Sequence, residues 1–112
     1  MKMSFFYDII ILILGGNMKR IIAIGGGETG RPGTQYETYE IDKEIVSLSG
    51  KDNPNVLFIG TASSDDDSYF EIISKVFSRL NCNVRNLALI KKTYTIEELR
   101  KILEQIDIII II

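Results

Sequence analysis

The stretch IIAIGGGETGRPG, Ile21 to Gly33, runs a compact β-branched segment into a cluster of glycines, and the alternation of residues on its far side decides the fold. A short apolar run closed by glycine reads as a strand. Within the cluster, Gly25, Gly27 and Gly30 fall on a G-x-G-x-x-G spacing. In a dinucleotide-binding fold that spacing sets a pyrophosphate against the amino end of a helix. The reading requires a helix to open inside the motif and an acidic residue to close the next strand. Here Arg31-Pro32-Gly33 comes directly after the motif, helical periodicity starts only near Thr38, and the next strand ends Ile59-Gly60-Thr61. Asp65 to Asp67 would also repel phosphate if they turned toward the pocket. The simpler use of the glycines is positive φ at a strand exit, which leaves Glu28 among them unexplained.

Beyond the loop the chain alternates. Tyr39, Ile41, Ile45 and Leu48 fall close to one helical face, with Thr38 as a candidate N-cap and Gly50 as the stop. Asn53-Pro54 is a turn signal, and Val56 to Ile59 is a continuously apolar second strand ending in the polar loop Gly60-Thr61-Ala62-Ser63-Ser64-Asp65. A helix from about Asp67 to Leu80, a strand from Val84 to Ile90, a helix opened by the Thr95–Glu98 capping box and a strand from Ile108 to Ile112 complete the series. The pattern β-α-β-α-β-α-β predicts an α/β protein with a mainly parallel sheet flanked by helices on both faces. In such sheets ligands bind beyond the carboxyl ends of the strands, where Gly25–Gly33 and Gly60–Asp66 lie.

Composition narrows the function classes. The 112 residues are 46% hydrophobic and 25% charged, with a net charge of −2, enough for one domain at most. No cationic stripe or interleaved aromatics point to a nucleic-acid partner. The chain has no histidine, so neither a Ser-His couple nor a His-containing metal site can be built from it, and no metal or cofactor is expected. Cys82 is single, needs no oxidising compartment and has little support as a nucleophile.

Residues 1–17, MKMSFFYDIIILILGGN, look unlike the rest. The run Ile9 to Leu14 is far shorter than the ~20 residues that span a bilayer, so no membrane partner is expected. A signal peptide is poorly matched, because Asp8 adjoins the run and no small-x-small cleavage site lies beyond it. Gly15-Gly16-Asn17-Met18 can be encoded by a purine-rich ribosome-binding sequence directly before a start codon. The expectation is a leader that is disordered or lies outside native coding sequence, with Met18 opening the domain 18–112. At the other end, five isoleucines after Asp107 form a strand that needs flanking neighbours, and an apolar strand left at an edge is an aggregation hazard. A truncated domain is expected.

The segment from Ile21 to Val84 resembles the N-terminal half of the peptidase S51 family, which groups dipeptidase E and cyanophycinase. The similarity rests on the strand-Gly-Gly-Gly-Glu opening at Gly25 to Glu28, the helix ending Leu48-Ser49-Gly50, the Asn53-Pro54 turn and the strand-Thr-Ala-Ser-Ser segment at Thr61 to Ser64. An acidic stretch and Tyr69 then lead into the second helix, and Gly60 departs from the proline expected there. The resemblance implies a cytoplasmic serine hydrolase on a class I glutamine amidotransferase-like, flavodoxin-like sandwich, acting on small peptides or isopeptides. It also implies that the strand at Ile108 precedes an oxyanion loop Gly-Gly-Gly-Asn, a Gly-x-Ser-Ala-Gly elbow and a catalytic His, none of which this sequence contains. No catalytic residue is therefore assigned. Gly26, Gly27, Glu28, Thr61, Ser63 and Ser64 are the candidate pocket residues, the hydroxyls serving equally well as helix caps or turn braces. Two other readings stand beside it: a nucleotide- or metabolite-binding module using Gly25 to Gly30, and an inactive gene remnant.

Overall fold

The computed structural model describes residues 9–13, 20–24 and 39–111. Its elements are β1 (Ile9–Ile13), β2 (Arg20–Ile24), α1 (Tyr39–Leu48), β3 (Asn55–Ile59), α2 (Asp67–Arg79), β4 (Asn83–Asn86), α3 (Ile96–Glu104) and β5 (Ile108–Ile111). The chain is an α/β protein. The N-cap assigned to Thr38, the glycine loop and Ile112 lie outside the described residues.

Each helix is bounded by the chemistry its sequence supplies. Gly50, at φ +71°, ends α1 in the left-handed region that glycine enters without steric cost. Asp66 caps α2 by accepting from the Ser68 N–H at 2.8 Å. At α3 the capping box is complete: Thr95 Oγ1 accepts from the Glu98 N–H at 3.1 Å, and Glu98 Oε1 accepts from the Thr95 N–H at 3.4 Å.

The sheet has five strands in the order β2-β1-β5-β3-β4. β3 pairs parallel with β4 and with β5, as the apolar runs predict. Period-two alternation divides the core: Val56, Phe58, Ile108 and Ile110 pack with Ile45 of α1 and with Ile73, Val76 and Phe77 of α2. Leu57 and Ile109 face the other way, onto Ile102 of α3 with Leu87 and Ile106. Among the described residues, helices thus cover both faces, two on one side and one on the other.

Two features differ from expectation. The sheet is mixed, because Ile9–Ile13 of the leader segment forms β1 and pairs antiparallel with both β2 and β5. In β1, Ile11 and Ile13 are buried among the residues of the larger core. The physical reason is the edge of β5, whose unpaired N–H and C=O groups need a partner strand. The second difference is β4, which ends at Asn86 rather than continuing to Ile90. Leu87 still donates its N–H to the Phe58 carbonyl at 2.9 Å, but the backbone then turns, with the Lys92 N–H bonded to the Ala88 carbonyl. Asp65 holds this turn by accepting from the N–H groups of Ile90 and Lys91.

The amino ends of the parallel strands are tied by a polar network. Asp107, 5% exposed, accepts from the Asn55 N–H at 2.9 Å through one oxygen and pairs with Lys51 Nζ at 2.6 Å through the other. The Asn55 amide donates to the Gln105 carbonyl, and the Asn83 amide donates to Asn53 and Asn55. These bonds satisfy strand-end groups that would otherwise lack partners.

Candidate functional site

The loop after β3 leaves the carboxyl end of the parallel strands, the end where sheets of this class bind ligands. Gly60 opens it at φ −102°, ψ 35°. A Cβ at this position would stand 2.8 Å from the Phe58 ring. Neither that contact nor the φ suits proline, whose ring fixes φ near −65°, which accounts for glycine here. Thr61–Ser63 then form one 3₁₀ turn, after which Ser64 and Asp65 both adopt left-handed backbone at φ 57° and 59°. Consecutive left-handed residues reverse the chain within a short span, and the Asp65 N–H bonds back to the Gly60 carbonyl at 3.0 Å.

Of the candidate hydroxyls, Thr61 and Ser64 are exposed and Ser63 is half-buried. Ser63 Oγ donates to the Gly60 carbonyl at 3.0 Å, so it braces the turn. None of the three caps the next helix, a role taken by Asp66. An unassisted hydroxyl is a weak nucleophile, and the chain supplies no imidazole to activate one. Gly26, Gly27 and Glu28 lie outside the described residues.

The three aspartates after Ser64 do not form a repulsive wall. Asp65 turns inward, 2% exposed, and its Oδ2 accepts from the N–H groups of Ile90 at 2.6 Å and Lys91 at 2.9 Å. Asp66 is the helix cap, and Asp67 lies 3.4 Å from Lys91 Nζ. Asp65 thereby fastens the loop after β3 to the turn after β4, placing two segments beside each other at the ligand end of the sheet. Its Oδ1 and the Asn86 Oδ1 at the end of β4 are buried without a hydrogen-bond partner. The sequence marks Asp65 only as one acid in a polar run, and nothing in that run separates the buried aspartate from its exposed neighbours.

Two cavities are lined by described residues away from this loop. A cavity of about 210 Å³ lies among Asn55, Asn83, Arg85 and Gln105 at the amino ends of the strands, away from the hydroxyl loop. A second, of about 250 Å³, runs beside α3 and is lined by Arg85, Tyr94, Glu98 and Lys101. Cys82 is buried, and desolvation pushes its thiol up to about 11, which keeps it protonated and poorly nucleophilic at neutral pH. Among the described residues no group of three or more His, Cys, Asp or Glu could hold a metal ion, and no helix is long and apolar enough to cross a membrane.

The fold and the loop geometry define an α/β protein with a polar loop at the carboxyl end of its parallel strand β3. Comparison with known proteins gives the family: the model of peptidase family S51 matches residues 21–112, and the chain belongs to that family. An uncharacterized peptidase of Bacillus subtilis (strain 168), YgaJ, is 32% identical over 74 residues, which are 66% of this chain and 31% of that protein. The chain therefore aligns with about a third of the length of this curated relative. No solved structure matches it.

Proposed function

We propose that residues 18–112 form the N-terminal part of a cytoplasmic serine-type hydrolase domain that acts on small peptides or isopeptides, and that the chain alone is inactive. The observation that carries the reading is the family match across residues 21–112 of a peptidase family. It is supported by a sequence without histidine, because acyl transfer needs an activated nucleophile, a base within hydrogen-bond reach and donors aimed at the developing oxyanion. In this reading the strand at Ile108 leads toward the oxyanion loop, while Thr61, Ser63, Ser64 and the segment Gly26 to Glu28 line the substrate pocket. The test has two parts. The 112-residue chain is assayed against dipeptides and isoaspartyl peptides, with no hydrolysis expected. Source DNA is then sequenced through the codon for Ile112. A frame continuing into Gly-Gly-Gly-Asn, a Gly-x-Ser-Ala-Gly elbow and a His supports the proposal, whereas a stop codon, or hydrolysis by the 112-residue chain itself, refutes it.

A further inference from the structure

β1 lies upstream of the family match yet occupies the interior of the sheet, between β2 on one side and β5 on the other. β2, the first strand of the matched region, stands at the sheet edge and joins the other strands through β1. Because β1 runs antiparallel to both neighbours, β2 and β5 point the same way, and β5 is parallel to β3 and β3 to β4. Four of the five strands therefore share one direction, and β1 alone opposes them. If β1 left and β2 moved inward by one strand spacing, about 4.8 Å, the sheet would become all-parallel in the order β2-β5-β3-β4.

We propose that the outer edge of β5 is a single strand-accepting slot for which β1 and β2 compete, and that the segment before Met18 selects the mixed sheet over the all-parallel one. Both competitors are five-residue apolar strands, IIILI and RIIAI, and each offers a backbone that satisfies the β5 edge. β1 holds the slot for two reasons. Ile11 and Ile13, at 1% and 0% exposure, complete the core against Ile45, Ile108 and Ile110. The link from β1 to β2 spans only residues 14–19, so closing that hairpin costs little entropy.

The register supplies the test. Ile22, Ile11 and Ile110 stand in one row across β2, β1 and β5. Two strand spacings, about 9.6 Å, separate the outer pair, beyond the ~7 Å Cα separation a disulfide spans. The full chain carrying Ile22→Cys with Ile110→Cys is expected to stay reduced under mild oxidation. Adding Ile11→Lys, which puts a charge at a buried core position, is expected to expel β1 and raise Ile22-to-β5 crosslinking at least ten-fold. Placing the second cysteine in turn at 109, 110 and 111 allows for a new register, and mass mapping separates these bonds from any made by Cys82. A bond formed with Ile11 still in place overturns the proposal, as does its absence at all three positions in an Ile11→Lys chain that still unfolds cooperatively. Should Ile11→Lys fail to fold, Ile11→Gly is monitored by hydrogen exchange. Loss of β1 protection with β5 protection retained supports the competition, and joint loss of both overturns it.

Discussion

Replacing Asp65 tests how the two loops at the ligand end are held together. Its carboxylate takes two backbone N–H groups, from Ile90 and Lys91, while its own backbone sits at φ 59°. Removing an acceptor and leaving buried donors unpaired costs about 1–3 kcal/mol for each group. Ile90 is 59% exposed, so water reaches the freed amides and the lower part of that range applies. Asp65→Ala therefore loses about 2 kcal/mol from the hydrogen bonds and about 1 more from holding a Cβ without a local acceptor in left-handed backbone. Asp65→Gly removes the second contribution and is expected to cost about 2 kcal/mol. Asp65→Asn keeps an acceptor oxygen and tolerates the backbone, for a cost of about 1 kcal/mol. Urea unfolding gives the ranking Asn, Gly, Ala in order of increasing loss, and hydrogen exchange should rise at Ile90 and Lys91 before it rises in β3. Equal stability of Asp65→Ala and the parent, or unchanged exchange at those two amides, would refute the reasoning.

Asp107→Ala removes an acceptor from the Asn55 N–H and a partner from half-exposed Lys51. The expected loss is about 2 kcal/mol by urea unfolding, dominated by the charged hydrogen bond rather than the ion pair; a loss below half of that would contradict the role given to the carboxylate. Thr95→Ala removes the hydroxyl that accepts from the Glu98 N–H and leaves only the Glu98-to-backbone half of the capping box, which should cost about 1 kcal/mol, seen as a lower thermal midpoint. Gly60→Ala drives a Cβ to 2.8 Å from the Phe58 ring, which is buried and stacked at a tilt on Phe70. Overpacking of this kind is expected to cost about 1–3 kcal/mol, and unchanged stability would show that the ring has room to move. For Cys82 the folded thiol lies near 11, above its unfolded value. The folded state therefore holds its proton more tightly, so stability is full below about pH 9 and declines as pH rises toward 11. Thiol labelling at pH 8 should be slow until urea unfolds the chain.

The elements legible in the sequence are those fixed by nearby residues. α3 is placed by Thr95 and Glu98, whose side chains accept each other's backbone N–H at the amino end of the helix, and α1 by Gly50, which can occupy the left-handed stop. β3 and β5 are equally clear, as a strand buried on both faces needs no alternation. β4 is not. Val84 to Ile90 is apolar enough to read as one strand, and the turn that replaces its second half is held by Asp65, 25 positions upstream of Ile90. Local propensity carries no trace of such a contact. β1 is hidden for a related reason: IIILI beside Asp8 reads as a leader segment, and its place inside the sheet depends on pairing with β5, nearly a hundred residues later, as well as with β2. In the site, residue types point to hydroxyls at the end of β3, but the structure divides the roles within a few positions, Ser63 to the turn and Asp66 to the cap.

The two ends of the parallel strands are built for different work. At the amino ends, side-chain amides of Asn53, Asn55, Asn81 and Asn83 bond across strands and loops, and Asp107 joins β3 to β5. The amide bonds are solvent-exposed, and the part-buried Asp107–Asn55 bond is the one shielded from water. At the carboxyl ends, the loop after β3 spends its backbone on internal turns and reaches the turn after β4 through Asp65 and the Asp67–Lys91 pair, while Thr61 and Ser64 stay exposed. Substitutions of Asp107 and of Asp65 should therefore both register in global unfolding, but only that of Asp65 should first raise exchange at the loop amides of Ile90 and Lys91.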